Sequence, residues 1–166
     1  MDVDIAHGWS PGLVGEVVRA HAVYYAREWR FGAPFETKVA REIADFVDRY
    51  SPERDRLLRA ERDGALLGAL TIDGSDPALP PGQAHLRWFI VMDEARGLGL
   101  GRRLMEAATS FLDASGYRTC YLTTFEGLGA ARRLYEDAGF VLVREAPSTT
   151  WGTTVLEQRF ERSALR

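Results

Sequence analysis

The sequence predicts a mixed α/β domain built on one central sheet of about six to seven strands, with helices on both faces. Three observations support this. Two segments near the N-terminus repeat apolar residues at helical spacing, several short apolar strands follow, and two glycine-bounded helices interrupt those strands. The chain of 166 residues has the usual length of one domain, so residues 1–166 are expected to form a single unit.

The first two predicted elements are amphipathic helices. In Leu13–Trp29, apolar side chains recur on one helical face, and after the Gly32–Pro34 break the same spacing of three and four recurs from Phe35 to Tyr50. Ser51-Pro52 is expected to end the second helix, because a proline ring disfavours helical geometry at the residue before it.

Strands follow the two helices. Arg56–Arg62 and Ala65–Ile72 are joined by Asp63-Gly64, which predicts a hairpin because such tight turns need positive φ. The polar, proline-rich stretch Asp73–Gly82 is typical of an exposed loop. Ala84–Met92 is almost continuously apolar, as expected of a central buried strand.

The remaining elements alternate between helices and strands. A helix is predicted to begin at Gly97–Gly101 and to end at Gly116, where a left-handed residue is favoured. The later elements are predicted as the strand Arg118–Thr124, the helix Gly129–Ala138, and the strands Phe140–Val143 and Thr153–Phe160. The predicted order is two helices, three strands, helix, strand, helix and two strands.

Composition and charge exclude several classes of function. The net charge is −3, from 21 basic and 24 acidic residues, and the arginines are dispersed, so neither nucleic acid nor a membrane surface is an expected partner. The single cysteine, Cys120, cannot form an intramolecular disulfide, and the histidines lack metal-ligand spacing, so no metal is expected. The N-terminus has no apolar signal segment, and a cytoplasmic location is expected.

A glycine-rich turn after the predicted buried strand is the most informative stretch. Gly97, Gly99 and Gly101 alternate with larger residues where a helix begins. Glycine lets backbone amides approach an anion closely, and the free N–H groups of a helix start favour negative charge. The pattern is neither a dinucleotide-binding G-x-G-x-x-G nor a Walker A motif. It predicts a phosphate site of another kind.

Two motifs carry a resemblance to a known family. Arg96-x-x-Gly99-x-Gly101 resembles the acetyl-CoA-binding signature [QR]-x-x-G-x-[GA] of the GNAT superfamily, and Ala131–Phe140 resembles that family's A-x-x-L-Y-[EK]-x-x-G-F. The likeness covers nearly the whole chain. A narrower likeness, through His21–Tyr25 and Trp29–Gly32 among others, is to the branch often fused behind MarR-type DNA-binding modules.

The resemblance implies an N-acetyltransferase that moves an acetyl or other acyl group from its CoA thioester to a primary amine, which attacks the thioester directly. The donor would lie in a V-shaped opening between Ala84–Met92 and Arg118–Thr124. Main-chain groups of Ile90, Val91 and Met92 would bind the pantetheine arm. The residues expected to hold the pyrophosphate are Arg96, Gly97, Leu98, Gly99, Leu100, Gly101 and Arg102.

The resemblance also assigns catalytic roles. Tyr135 matches the family tyrosine that contacts the cofactor and protonates the departing thiolate, although an aromatic packing role fits the same helix. The candidate bases that would deprotonate the amine are Glu36, which we favour, Glu126 and His85, and a water relay is an equal alternative.

An acceptor pocket is expected where the early helices meet the last two strands. Its predicted residues are Trp29, Phe31, Phe35 and Trp151. The acceptor could be a small-molecule amine or a protein amine, and the protein could be a monomer or a homodimer.

Two positions depart from the family pattern. Phe125 and Leu128 stand where many relatives carry an asparagine that contacts the pantetheine arm, and neither side chain can donate that hydrogen bond. This leaves a second hypothesis, a non-catalytic acyl-CoA-binding or regulatory interaction module on the same fold. A third, a DNA-associated regulator, is opposed by the net negative charge.

Overall fold

The computed structural model describes residues 3–164, which form one seven-stranded sheet with helices on both faces. In chain order the elements are β1 (Asp4–His7), α1 (Leu13–Trp29), α2 (Ala33–Asp48), β2 (Arg56–Arg62), β3 (Ala65–Asp73), β4 (Gln83–Val91), a 3₁₀ turn (Asp93–Ala95), α3 (Leu100–Ala114), β5 (Thr119–Phe125), α4 (Gly129–Asp137), β6 (Val141–Ser148) and β7 (Val155–Ser163). None of the helices in this part of the chain is long and apolar enough to span a bilayer.

The sheet contains one parallel pair of strands, and that pair opens along its length. The strand order is β1-β2-β3-β4-β5-β7-β6, and only β4 and β5 are parallel neighbours. They pair from Gln83–His85 with Thr119–Tyr121. The seven-stranded sheet with helices on both faces confirms the predicted fold class. Beyond His85 and Tyr121 the two strands diverge and leave a V-shaped gap in the sheet.

Each face of the sheet carries its own apolar core. On the face covered by α3 and α4, Leu104, Phe140 and Phe160 are almost fully buried. On the opposite face, α1 and α2 bury Phe46 and Leu13. Burial of each such side chain stabilises the fold by about 1.5–3 kcal/mol. The gap between β4 and β5 therefore lies between two well-packed layers.

Most predicted boundaries agree with the structure, and the disagreements are local. The bounds of α1 and β2 match, and Asp63 and Gly64 have φ angles of 52° and 78°, as the hairpin prediction requires. The prediction missed β1, a four-residue edge strand paired with β2, because so short a segment shows no periodicity. The predicted strand Phe140–Val143 is too short, since β6 continues to Ser148.

A bulge in β4 lies beside the gap. Two β4 residues, Trp88 and Phe89, lie opposite the single residue Leu70 of β3, and Trp88 has a φ angle of 48°. A left-handed conformation at a residue with a bulky side chain costs about 1–2 kcal/mol. Bulges occur frequently beside active sites, where they redirect a strand. This one bends β4 just after it separates from β5.

Candidate functional site

A cavity of about 280 Å³ occupies the gap between β4 and β5 and extends beneath α2. Its wall combines aromatic rings with charged side chains from elements that are distant in the sequence. The lining residues used below are His21, Tyr25, Phe35, Lys38, Glu42, His85, Arg87, Trp88, Phe89, Phe125, Tyr135, Trp151 and Glu157.

Tyr135 reaches this cavity from α4. It is the buried residue of that short helix, and its ring lies 6.0 Å from that of Phe89 and 6.1 Å from that of Phe160, measured between ring centroids. Burial raises the pKa of the Tyr135 hydroxyl far above its usual value. The hydroxyl keeps its proton at neutral pH, as a general acid requires, and the raised pKa makes it a weaker proton donor than an exposed tyrosine.

Two neutral histidines line the same cavity. Burial lowers the pKa of His85 to about 3, with nearby Arg87 contributing, and burial lowers that of His21 to about 4. The His85 ring stacks on Tyr121 at 4.1 Å, and His85 Nδ1 lies 3.1 Å from the Tyr121 hydroxyl. Both imidazoles are unprotonated at pH 7, so each has a nitrogen lone pair.

These shifts predict how stability depends on pH. The folded-state pKa of His85 lies below its unfolded value of 6.5, so its unfavourable contribution is absent above pH 6.5 and grows as the pH falls toward 3. We expect the free energy of unfolding to fall by up to about 1.4 kcal/mol per pH unit from this residue. His85→Gln should reduce that slope in urea unfolding measured between pH 5 and 7.5. His7→Gln, at an exposed position, is the control, and equal slopes for both variants would contradict the prediction.

A network of ion pairs borders the polar end of the cavity. Arg87 donates to Glu42 at 2.7 Å and contacts the fully buried Asp73 at 3.4 Å, while Arg49 forms a bidentate pair with Asp73 at 2.7 Å. Lys38 also pairs with Glu42. Burial alone would raise the pKa of Asp73, but the hydrogen bonds and charges of Arg49 and Arg87 outweigh it and hold the pKa below its usual value. The network fixes Arg87 beside the β4 bulge.

The predicted phosphate turn lies at the start of α3. Gly97 and Gly99 have φ angles of 76° and 73°, and a Cβ at either position would meet nothing within 4 Å. Gly99 is the N-cap, with no side chain capping the helix, and the Arg103 amide bonds the Gly99 carbonyl at 3.1 Å. The preceding amides at the helix start have no acceptor within the helix. This arrangement suits an anion.

Two of the predicted cofactor-binding residues, Gly101 and Met92, have structural roles: one allows two helices to pack closely, and the other bonds to a neighbouring strand. A Cβ on Gly101 would lie 2.9 Å from the Leu134 side chain, so this glycine allows α3 to pack closely against α4. The Met92 amide is already bonded to the Leu67 carbonyl at 2.9 Å. Alternation along β4 then directs the Val91 amide away from β3, toward the open side.

The structure brings together some of the predicted acceptor residues. Phe35 and Trp151 line the cavity, whereas Trp29 and Phe31 are not among its lining residues and pack against Phe125, with the Trp29 and Phe125 ring centroids 4.7 Å apart. Phe125 itself forms part of the wall. Leu128 is half-buried against the aromatic core beneath α1 and α2.

Of the three predicted bases, His85 alone lines the cavity. Glu36, in the first turn of α2, and Glu126, after β5, are both exposed and outside the wall. Sequence reasoning missed Glu42, Arg87 and Glu157 as cavity residues. The sequence did contain evidence for Arg87. His85 and Arg87 are polar residues at alternate positions of an otherwise apolar strand, which indicates that one face of this strand is not packed in the apolar core.

Two features define the class of this protein. Its mixed sheet separates at the parallel pair β4 and β5, and a helix that starts at a glycine, without a side-chain cap, lies beside the opening. The chain belongs to the Acetyltransferase (GNAT) family, whose sequence profile matches residues 20–140. It is 30% identical over 117 residues, 70% of this chain and 69% of the relative, to an uncharacterized N-acetyltransferase of Schizosaccharomyces pombe.

Solved structures of low sequence identity share the fold. An acetyltransferase of the GNAT family from Staphylococcus aureus Mu50 superposes with a TM-score of 0.78 at 13% identity, covering 99% of this chain and 100% of that one. The structure of yncA from Salmonella typhimurium with its cofactor acetyl-CoA also gives 0.78, at 14% identity, covering 100% of this chain and 96% of that one.

Proposed function

We propose that the protein is an acetyl-CoA-dependent N-acetyltransferase that acts on a primary amine by direct attack on the thioester. The observation that carries this proposal is the position of Tyr135 and His85 on the wall of one cavity, in the gap between β4 and β5. Membership in the GNAT family supports the reaction type. The yncA structure supports the choice of acetyl-CoA as donor.

The start of α3 fits the pyrophosphate of CoA. The glycine turn leaves open space above Gly97 and Gly99, and the helix start has no side-chain cap. Arg96 and Arg102 lie near the turn, paired with Asp93 at 3.2 Å and with Asp137 at 3.4 Å. The outward Val91 amide is suited to the pantetheine arm. An amide aimed at the thioester oxygen inside a dry cleft would stabilise the transition state by on the order of 3 kcal/mol.

Tyr135 would supply the proton to the departing thiolate, and His85 or a water bound to it would accept the proton of the amine. His85 gains support over Glu36 and Glu126 because it lines the cavity and is unprotonated at neutral pH. With a pKa of about 3, however, His85 is a weak base. A relay through water or the Tyr121 hydroxyl fits this low basicity.

A non-catalytic acyl-CoA-binding module is the second candidate, and one observation favours it. Phe125 contributes an apolar ring to the wall at the position of the family asparagine, so the pantetheine arm loses a polar contact there. The likeness to the MarR-fused branch, the cytoplasmic location and the oligomeric state remain predictions.

Ligand-dependent unfolding tests donor binding. We expect CoA or acetyl-CoA at 100 times its dissociation constant to raise the free energy of unfolding by about 2.7 kcal/mol. NAD and ATP at the same concentration should raise it far less, because the turn lacks both of their binding patterns. Urea unfolding with each ligand measures the difference, and equal stabilisation by NAD would contradict the assignment. Thiol release from acetyl-CoA with a series of amines then separates catalysis from binding alone.

A further inference from the structure

Glu157 is a cavity carboxylate that the mechanism above does not use. It lies on β7 directly opposite Phe125 of β5 and forms part of the cavity wall. Within residues 3–164, Glu157 has no lysine, arginine or histidine partner within 4 Å. The nearby Arg159 pairs instead with Glu161, at 2.9 Å. A carboxylate on a cavity wall without a basic partner favours a cationic ligand.

The other charged side chains near the cavity are held in ion pairs. The ion-pair network joins three basic side chains to three acidic ones, in a chain of contacts that runs from Lys38 to Asp45. Its members are Lys38, Arg87 and Arg49 with Glu42, Asp73 and Asp45. His85 and His21 are neutral and add no charge. Within residues 3–164, Glu157 is the carboxylate on the cavity wall that no basic side chain pairs with.

The rest of the wall suits an apolar, aromatic body. The rings of Phe35, Phe125 and Trp151 meet in the cavity, with centroid distances of 5.7 Å between Phe35 and Trp151 and 6.5 Å between Phe125 and Trp151. Such rings pack well against another ring and attract a nearby cation through their faces. The volume of about 280 Å³ lies just below the usual range for ligand pockets and suits a small ligand.

We propose that the acceptor is a small primary amine with an aromatic or bulky apolar body and no carboxylate, and that Glu157 binds its ammonium group. This inference rests on the proposed function, because it names the substrate class of the same cavity. A carboxylate on the acceptor would face Glu157 and would have to displace Glu42 from Lys38 or Arg87 to find a cation. Amino acids are therefore selected against.

Two probes that differ by one carboxylate test the substrate class. We expect kcat/KM for 2-phenylethylamine to exceed that for phenylalanine by at least about tenfold, because the carboxylate would be repelled by Glu157 without gaining a free cation. Equal or better turnover of phenylalanine would overturn the inference while leaving the acetyltransferase assignment intact.

A matched pair of variants tests the role of Glu157. Glu157→Gln should raise KM for 2-phenylethylamine about tenfold or more, since a hydrogen bond to a charged group is lost, with a smaller change in kcat. Glu106→Gln, at an exposed position of α3 outside the cavity wall, should leave KM unchanged. If Glu157→Gln behaves like the control, the assignment of the ammonium site is wrong.

Binding without turnover separates this inference from the proposed function. Calorimetric titration of 2-phenylethylamine into protein saturated with CoA should show binding that Glu157→Gln weakens. Such binding without any acetyl transfer would refute the proposed function and retain the inferred ligand class. Absence of amine binding by a protein that binds CoA would refute the inferred class.

Discussion

Replacing Gly99 with glutamate is expected to lower the affinity for CoA by about a hundredfold or more while the protein still folds. The substituted side chain would stand at the uncapped start of α3, where its carboxylate would repel the pyrophosphate and compete for the same amides. Loss of two charge-assisted hydrogen bonds accounts for this magnitude. Gly101 is a poorer choice, because a side chain there would meet Leu134.

The same helix provides a control with equal backbone strain. Gly116, just beyond the other end of α3, has a φ angle of 74° against 73° for Gly99, and a Cβ at either would meet nothing within 4 Å. Both glutamate variants should therefore lower the free energy of unfolding by about 1–2 kcal/mol, because a residue with a side chain would have to adopt the left-handed conformation. Calorimetry with CoA should distinguish them. Equal CoA affinity in the two variants would show that the pyrophosphate does not bind at the start of α3.

Removing the Tyr135 hydroxyl is expected to lower the turnover number roughly ten- to hundredfold with CoA affinity nearly unchanged. Phenylalanine keeps the ring and its contacts with Phe89 and Phe160, so stability should change little. The loss should shrink with an acyl donor whose thiol is more acidic, because that leaving group needs less proton assistance. Steady-state turnover with both donors measures the effect.

Tyr117→Phe controls for the general effect of deleting a tyrosine hydroxyl. The Tyr117 hydroxyl donates to the Arg54 carbonyl at 2.6 Å, away from the cavity, so its removal should cost stability but not turnover. Full activity in Tyr135→Phe would make Tyr135 a packing residue and leave water as the acid. A loss that is equal for both donors would also argue against proton transfer by this hydroxyl.

The strand, the glycine turn and the start of α3 could be predicted because their residues are contiguous. A strand, a glycine turn and a helix start occupy a single stretch from Ala84 to Leu104, and local spacing is enough to identify them. The wall of the cavity proposed to bind the acceptor is assembled from α2, β4 and β7, among other elements, which lie far apart in the sequence and meet only through the topology of the sheet. Glu157 has no local pattern that would identify it.

The choice of Glu36 as the favoured base shows a second limit. The residues of α2 that line the cavity are Phe35, Lys38, Val39 and Glu42. They follow the i, i+3, i+4, i+7 spacing of a single helical face, and Glu36 lies about 100° around the helix from Phe35. From the sequence, Glu36 is a candidate carboxylate on this helix. Which one faces the cavity depends on helical phase, which the structure provides.

The bulge at Trp88 changes which side of the sheet each later β4 residue faces. Before it, His85 and Arg87 face the side of α1 and α2, and strict alternation would place Phe89 there next. Instead Trp88 and Ile90 pack on that side, whereas Phe89 packs with α3 and α4. The extra residue therefore shifts the alternation of the strand. The odd-numbered polar residues before the bulge and the even-numbered apolar residues after it all face the side of α1 and α2. Deleting a residue here would restore the regular phase and exchange the two faces of everything from Phe89 to the end of the strand.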